Sequence, residues 1–329
     1  MAIYKFYNIQ LLPIDNTKHH EVGESGYCKL FEALGEQIKD TKEKQEKLSS
    51  IGCKMKGDMF FAPFSSNIME YPADNESKKI VHGYFLKFDN VNTLLDTNSG
   101  EVQYRSKGNS SSKRFEFEFV FEPYKHILAI QHKAGLPSRM PLIEALDEIL
   151  NTHVTKLFKG HSLEIIELTS AESVIQLFNS PKNGYKSYNG YVTFSNSEDY
   201  DSDIEGFLYD DAREKEIELK KKNIAEWRTT YKGFKGSLMT DIPNDAKMQM
   251  LLATKYGNAE ARYENDNGED VKYHMDNSPV RETLGKYSQG ILNRVIEIRN
   301  LIFRADKKTR AAKKSSLENK KLLDSNKDN

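Results

Sequence analysis

The residues of this 329-residue chain best suited to chemistry are a short D-x-K triplet, Asp270, Val271 and Lys272, with Asp245 and Glu260 upstream of it. Nucleases that work through bound Mg2+ need carboxylates to hold the cation and a lysine to assist the attacking water. Alternate residues of a strand share a face, so Asp270 and Lys272 would point the same way. The triplet is short, and in a chain with 29% charged residues it also describes an ordinary surface strand. A metal-dependent nuclease is therefore the enzymatic alternative, with Mg2+ as its cofactor.

A second acidic group, Asp199, Asp201, Asp203 and Glu205, places carboxylates at every other position. Calcium loops space their oxygen ligands in this way, but they also require glycine at the sixth position and a bidentate Glu at the twelfth. Counted from Asp199 these positions are Ile204 and Asp210, and counted from Asp201 they are Gly206 and Ala212. Asp199, Asp201 and Asp203 are candidate metal ligands against the alternative of a solvated acidic loop. The eight histidines show no i,i+4 pair of the zinc-protease kind, and Cys28 and Cys53 have no zinc or redox spacing. No glycine-rich phosphate loop and no G-x-S-x-G elbow occur.

Charge is distributed unevenly. Residues 304–329 hold nine Lys and Arg against four acids, leaving 39 bases against 45 acids in the preceding part. Arg304, Lys307, Lys308, Arg310, Lys313 and Lys314 form the densest run. Such a cationic end can attract phosphate backbones or an acidic partner. It also fits a solvated, frayed terminus. The Tyr185, Tyr188 and Tyr191 segment could stack on unpaired bases, or pack as a loop.

The elements that would carry these residues are legible from patterning. Phe115, Phe117, Phe119 and Phe121 alternate with Glu116, Glu118, Val120 and Glu122. That alternation predicts an antiparallel strand with one buried and one wet face. Residues 126–132 read as its partner and residues 2–12 as an opening strand. Helices are expected over 25–48, from Ser138 onward with Leu142, Ile143, Leu146, Ile149 and Leu150 inward, from Thr169 to Phe178, near 210–228 and over 245–255. Asn267-Gly268 predicts a hairpin between 259–264 and 269–275. A last helix is expected from Ser278-Pro279, striped by Val280, Leu284, Tyr287, Ile291, Val295, Ile298 and Ile302. The stripe suits either a core helix or a homo-oligomer seam through residues 279–303. No apolar run approaches a membrane span, and the N-terminus lacks a signal-peptide pattern, so a cytoplasmic protein with free thiols is expected.

The opening YKFYNIQLLP, the stretch EFEFVFEPYKHILAIQHKAG leading into SRMPLIEALDEIL, the segment EIIELTSAESVIQLF and the final DNSPVRETLGKYSQGILNRVIEIRN together cover about half of the chain. In these elements it resembles a set of uncharacterised bacterial proteins of about this length, associated with mobile elements and phage-defence loci. The resemblance implies a defence setting and no reaction.

The expected fold is α+β: an antiparallel-rich mixed sheet with packed helices over residues 1–200, then a helix-rich part over 201–303 with one β-hairpin and a long terminal helix. A basic, disordered tail is expected over 304–329. The expected function is a non-catalytic subunit of a bacterial antiviral system that binds nucleic acid or a partner protein. The alternatives are a metal-dependent nuclease effector and a structural homo-oligomer.

Overall fold

Two antiparallel sheets, each backed by helices, account for most of the chain in the computed structural model, which describes residues 1–14, 22–73, 76–194, 207–222, 224–285 and 290–310. The larger sheet is built on β1 (Ala2–Pro13), which is buried along nearly its whole length and therefore central. Beside it lie β8 (Ile127–His132), β7 (Arg114–Glu122), β4 (Glu76–Asp89), β3 (Met59–Ala73) and the short β2 (Cys53–Lys54). On its other side, β1 pairs through residues 2–5 with β14 (Arg281–Leu284) and through residues 7–13 with β9 (His161–Glu167). A separate ribbon joins β5 (Val91–Leu95) to β6 (Val102–Ser110).

One face of this sheet packs on α1 (Gly23–Glu43) and α2 (Arg139–Leu157). The phenylalanines of β7 point there, with Phe31 of α1 stacked 4.4 Å from Phe121 and Phe85 of β4 4.7 Å from Phe119. Gly83 makes this possible: a Cβ at that position would lie 2.7 Å from the Phe119 ring and 2.0 Å from the Ser65 carbonyl.

The opposite face, expected to be wet, is dry at Glu118, Val120 and Glu122, while Glu116 stays partly exposed. This face is covered by α6 (Ile291–Arg310), whose Val295, Ile298, Leu301 and Ile302 pack with Tyr4, Phe6, Val120 and Ala129. Glu118 and Glu122 are each 1% exposed, because arginines of α6 come down on them. Alternation identifies two faces of a strand without saying what covers the second.

The last helix also differs from expectation. Residues 281–284 are strand rather than helix, and α6 starts after Gly290, whose φ of +92° suits glycine. Val280 and Leu284 still enter the same core as Val295, Ile298 and Ile302. Ile291 is 63% exposed, and Tyr287 lies outside the described residues. Among the described residues of the stripe, Val280, Leu284, Val295, Ile298 and Ile302 are thus buried within the chain's own core.

The smaller sheet has the order β11 (Glu226–Lys232), β10 (Lys182–Thr193), β12 (Gly257–Asn265), β13 (Asp270–His274). Helices α3 (Ala171–Asn179), α4 (Phe207–Lys221) and α5 (Asn244–Tyr256) contribute to the core on one side of it. The expected β12–β13 hairpin is present. Residues 182–193, expected as a loop, are a central strand, and 226–228, expected as the end of a helix, open the edge strand β11. A division at residue 200 does not separate the sheets: β10 belongs to the second, while β14 and α6 return to the first.

The sheets meet along β1 and α5. Asn8 donates to the Lys255 carbonyl at 3.1 Å, and Gln10 lies 3.4 Å from the Thr193 hydroxyl. Thr254 donates to the Thr309 carbonyl at 2.6 Å, which fixes the last turn of α6. None of the described helices is long and apolar enough to cross a membrane.

Candidate nucleic-acid interface

The cationic end of the chain is the first place to look for a binding surface, and its geometry is set by the buried side of α6. Arg294 approaches Glu118 with Nε at 2.7 and 2.9 Å and Nη2 at 2.5 Å. Tyr4 donates its hydroxyl to the same carboxylate at 2.7 Å, and His82 lies 3.2 Å away. Burial alone would raise the Glu118 pKa, but these hydrogen bonds outweigh it and hold it at about 2. One step along, Arg299 donates to Glu122 at 2.6 Å and stacks 4.8 Å from the Tyr71 ring and 4.4 Å from Phe303. Here burial prevails, and the Glu122 carboxyl is raised from its ordinary value.

The helix does not end at residue 303. Arg304 to Arg310, expected to begin a disordered tail, form its last turns, with Ala305, Asp306 and Thr309 buried. Asp306 takes Lys255 at 2.8 Å and Lys125 at 3.5 Å, both lysines being almost fully buried. Arg310 reaches the same carboxylate at 3.5 Å. Two carboxylates of β7, taking arginines of α6, and two buried lysines of the body, taking Asp306 of α6, thus clamp one side of the helix.

The opposite side faces solvent and carries Arg304, Lys307 and Lys308. Arg304 and Lys308 share the single carboxylate of Glu282, at 3.3 and 2.7 Å, while their side chains stay more than half exposed. Exposed Tyr124 adjoins this end of the helix, because Lys125 lies over both the Tyr124 and Phe303 rings. Lys78 sits 6.0 Å from the Tyr124 ring. Lys313 and Lys314 fall outside the described residues, as do Asp199, Asp201 and Asp203.

The candidate nuclease residues do not converge. Asp270 and Glu260 lie on the uncovered face of the second sheet, but Asp245 sits on α5, where it accepts the Tyr231 hydroxyl at 2.6 Å on the covered face. Asp270 is engaged by Arg262 at 2.5 Å and by Lys186 at 3.4 Å, and its carboxyl is lowered by the Arg262 hydrogen bond above all. Glu260 pairs with His274 at 3.1 Å. Lys272 does share a face with Asp270, as the D-x-K spacing predicts, and stands opposite Arg262. Among the described residues, no group of three His, Cys, Asp or Glu side chains is placed to hold a metal ion.

The tyrosines considered for base stacking are mostly core: Tyr185 and Tyr188 are buried, and Tyr188 donates to Gln249 at 2.8 Å. The counter-charges Arg294 and Arg299 escaped sequence reasoning. The available signal was their place on a helix whose apolar stripe already implied a buried side.

The domain of unknown function DUF4747 matches residues 5–302, from β1 into α6. The chain belongs to that family. Both sheets and the Arg294 and Arg299 contacts of α6 therefore fall within one DUF4747 unit, and the match ends before Arg304. No curated protein matches the chain.

Proposed function

We propose that this protein is a non-catalytic, nucleic-acid-binding component of a bacterial antiviral system acting in the cytoplasm. The observation that carries the reading is the outward row Arg304, Lys307 and Lys308 on a helix whose inner side is held by Glu118 and Glu122 and, through its own Asp306, by Lys125 and Lys255. Cations on a fixed helix need less ordering on contact with phosphates than cations on a loose tail, so more of the electrostatic gain appears as affinity. Three cations against the one carboxylate of Glu282 favour an anionic partner. Contacts of this kind carry no sequence information and weaken steeply with salt. The antiviral setting rests on the resemblance to proteins of phage-defence loci.

The test is binding of a fluorescent 20-base-pair duplex by fluorescence anisotropy at several salt concentrations. The triple variant Arg304→Ala, Lys307→Ala, Lys308→Ala is expected to lower the slope of log affinity against log salt by about 2–3, near 0.9 per lost phosphate contact. An unchanged slope removes the support for this surface. Substitution is preferable to truncation after Phe303, because truncation also removes Asp306 from between Lys125 and Lys255.

A further inference from the structure

The uncovered face of the second sheet carries a row that the α6 surface does not account for. Register places Lys232 of β11 opposite Ser187 of β10, Ser187 opposite Arg262 of β12, and Arg262 opposite Lys272 of β13. Directly opposed residues share a face, so this row crosses all four strands, roughly 14 Å at about 4.8 Å per strand. Lys232, Arg262 and Lys272 are exposed, and neither Lys232 nor Lys272 has an ion-pair partner among the described residues. A bulge between Tyr185 and Ser187 adds Lys186 to the same side, where it meets Asp270. The next row, Thr230, Asn189, Glu260 and His274, carries one carboxylate, Glu260, paired with His274 at 3.1 Å, and a 3.1 Å bond from Thr230 to Asn189.

At the β11 end of the cationic row stands Phe234, 90% exposed. Its loop is not loose. Gly233 donates to the Lys186 carbonyl at 3.0 Å, Ser237 donates to the Phe234 carbonyl at 2.9 Å, and Tyr185 and Met239 exchange two backbone bonds of 2.8 Å. Gly236, at φ +81°, closes the turn. A large aromatic ring is thus held out into water beside Lys232 and Lys235 by a loop pinned to the sheet.

We propose that single-stranded nucleic acid lies across this face, its phosphates following Lys232, Arg262 and Lys272 and one base stacking on Phe234. Cations that track a backbone, combined with an aromatic platform for a base, are how unpaired strands are held without sequence preference. An acidic peptide would use the cations but would have no need of the protruding ring. The proposal deepens the nucleic-acid reading by naming an unpaired strand. It rests on different residues from those of α6, so each can fail without the other.

The experiment is fluorescence anisotropy of the full chain with labelled 15-mers of deoxythymidine and of uridine, and with the 20-base-pair duplex, at low salt. Phe234→Ala is expected to weaken single-strand binding about tenfold, within the range for loss of one stacked base. Phe234→Trp is expected to restore it, and duplex binding is expected to stay unchanged in both variants. Lys232→Ala with Lys272→Ala is expected to lower the single-strand salt slope by about 1.4, near 0.7 per phosphate. Conversely, the α6 triple variant is expected to affect the duplex more than the single strand. The proposal is overturned if neither 15-mer binds, if Phe234→Ala binds as wild type does, or if poly-glutamate displaces the strand as effectively as unlabelled strand. Loss of duplex binding in the α6 variant with single-strand binding retained would support both readings. Loss of Phe234 sensitivity alone would sink only this one.

Discussion

Strands β7 and β12 carry charge in the same alternating way and end in opposite surroundings. On β7, Glu118 and Glu122 are sealed under α6, each meeting an arginine of that helix. On β12, Glu260 and Arg262 remain exposed, and Arg262 meets Asp270 across the hairpin. The difference comes from which element arrives later in the chain. The first sheet receives a 20-residue helix on its second face, while the helices of the second sheet pack on one side only. A buried carboxylate must be neutralised by a well-placed partner, whereas a solvated one is stabilised by water. The buried ion pairs therefore hold the fold together, and the solvated charges remain available for a ligand.

The largest effects that could break this contrast lie beneath α6. Asp306→Ala removes the carboxylate shared by two buried lysines and is expected to destabilise by about 3–5 kcal/mol in urea unfolding. A loss below about 1 kcal/mol would mean the clamp is not formed. Arg294→Met should act on a similar scale by stranding Glu118. The double variant Arg294→Met, Glu118→Gln should then be less damaging than the two single losses combined.

Acid sharpens the comparison further. Glu118 has a folded pKa of about 2, below its ordinary value, so its stabilising contribution is fully present above that ordinary value. That contribution is lost as pH falls from about 4.3 toward the folded value. Unfolding free energy measured across this window should drop in the wild type and flatten in Glu118→Gln. Glu122 is raised instead, so its contribution has the opposite sign and is lost as pH rises through its folded pKa. At the smallest end, Asp270→Asn and Lys272→Ala on the open face should leave the melting temperature unchanged within error. A clear drop would show that face to be structural rather than available.

The fold was largely legible because its strongest periods are local. The Phe115 to Phe121 alternation, the Leu142 to Leu150 stripe and Asn267-Gly268 each describe a few consecutive residues, and the strand, the helix and the hairpin form where they are read, although the second face of the strand is covered. What escaped depends on distant partners. Glu118 looks solvated until Arg294, 176 residues away, is placed on it. Strand β10 looks like a loop because Gly184, Gly190 and its asparagines have poor strand propensity, which pairing with β11 and β12 overrides. Residues 281–284 look helical because Val280 and Leu284 fit the stripe of α6, yet β1 still has unpaired edge positions at Ala2 to Lys5 that they complete. The cations of the candidate surface were visible as composition. That they stand on a clamped helix, and that Phe234 projects beside a cationic row, were not, since both follow from register.

Helix α6 is held closed on the sheet through its final turns, so that its cations project from a fixed surface. Amide hydrogen exchange of the peptides covering residues 291–310, compared with those of β7, tests it most directly. Protection through Thr309 comparable to that of β7 is the predicted result. Exchange of residues 304–310 at the rate of an unstructured chain would contradict it.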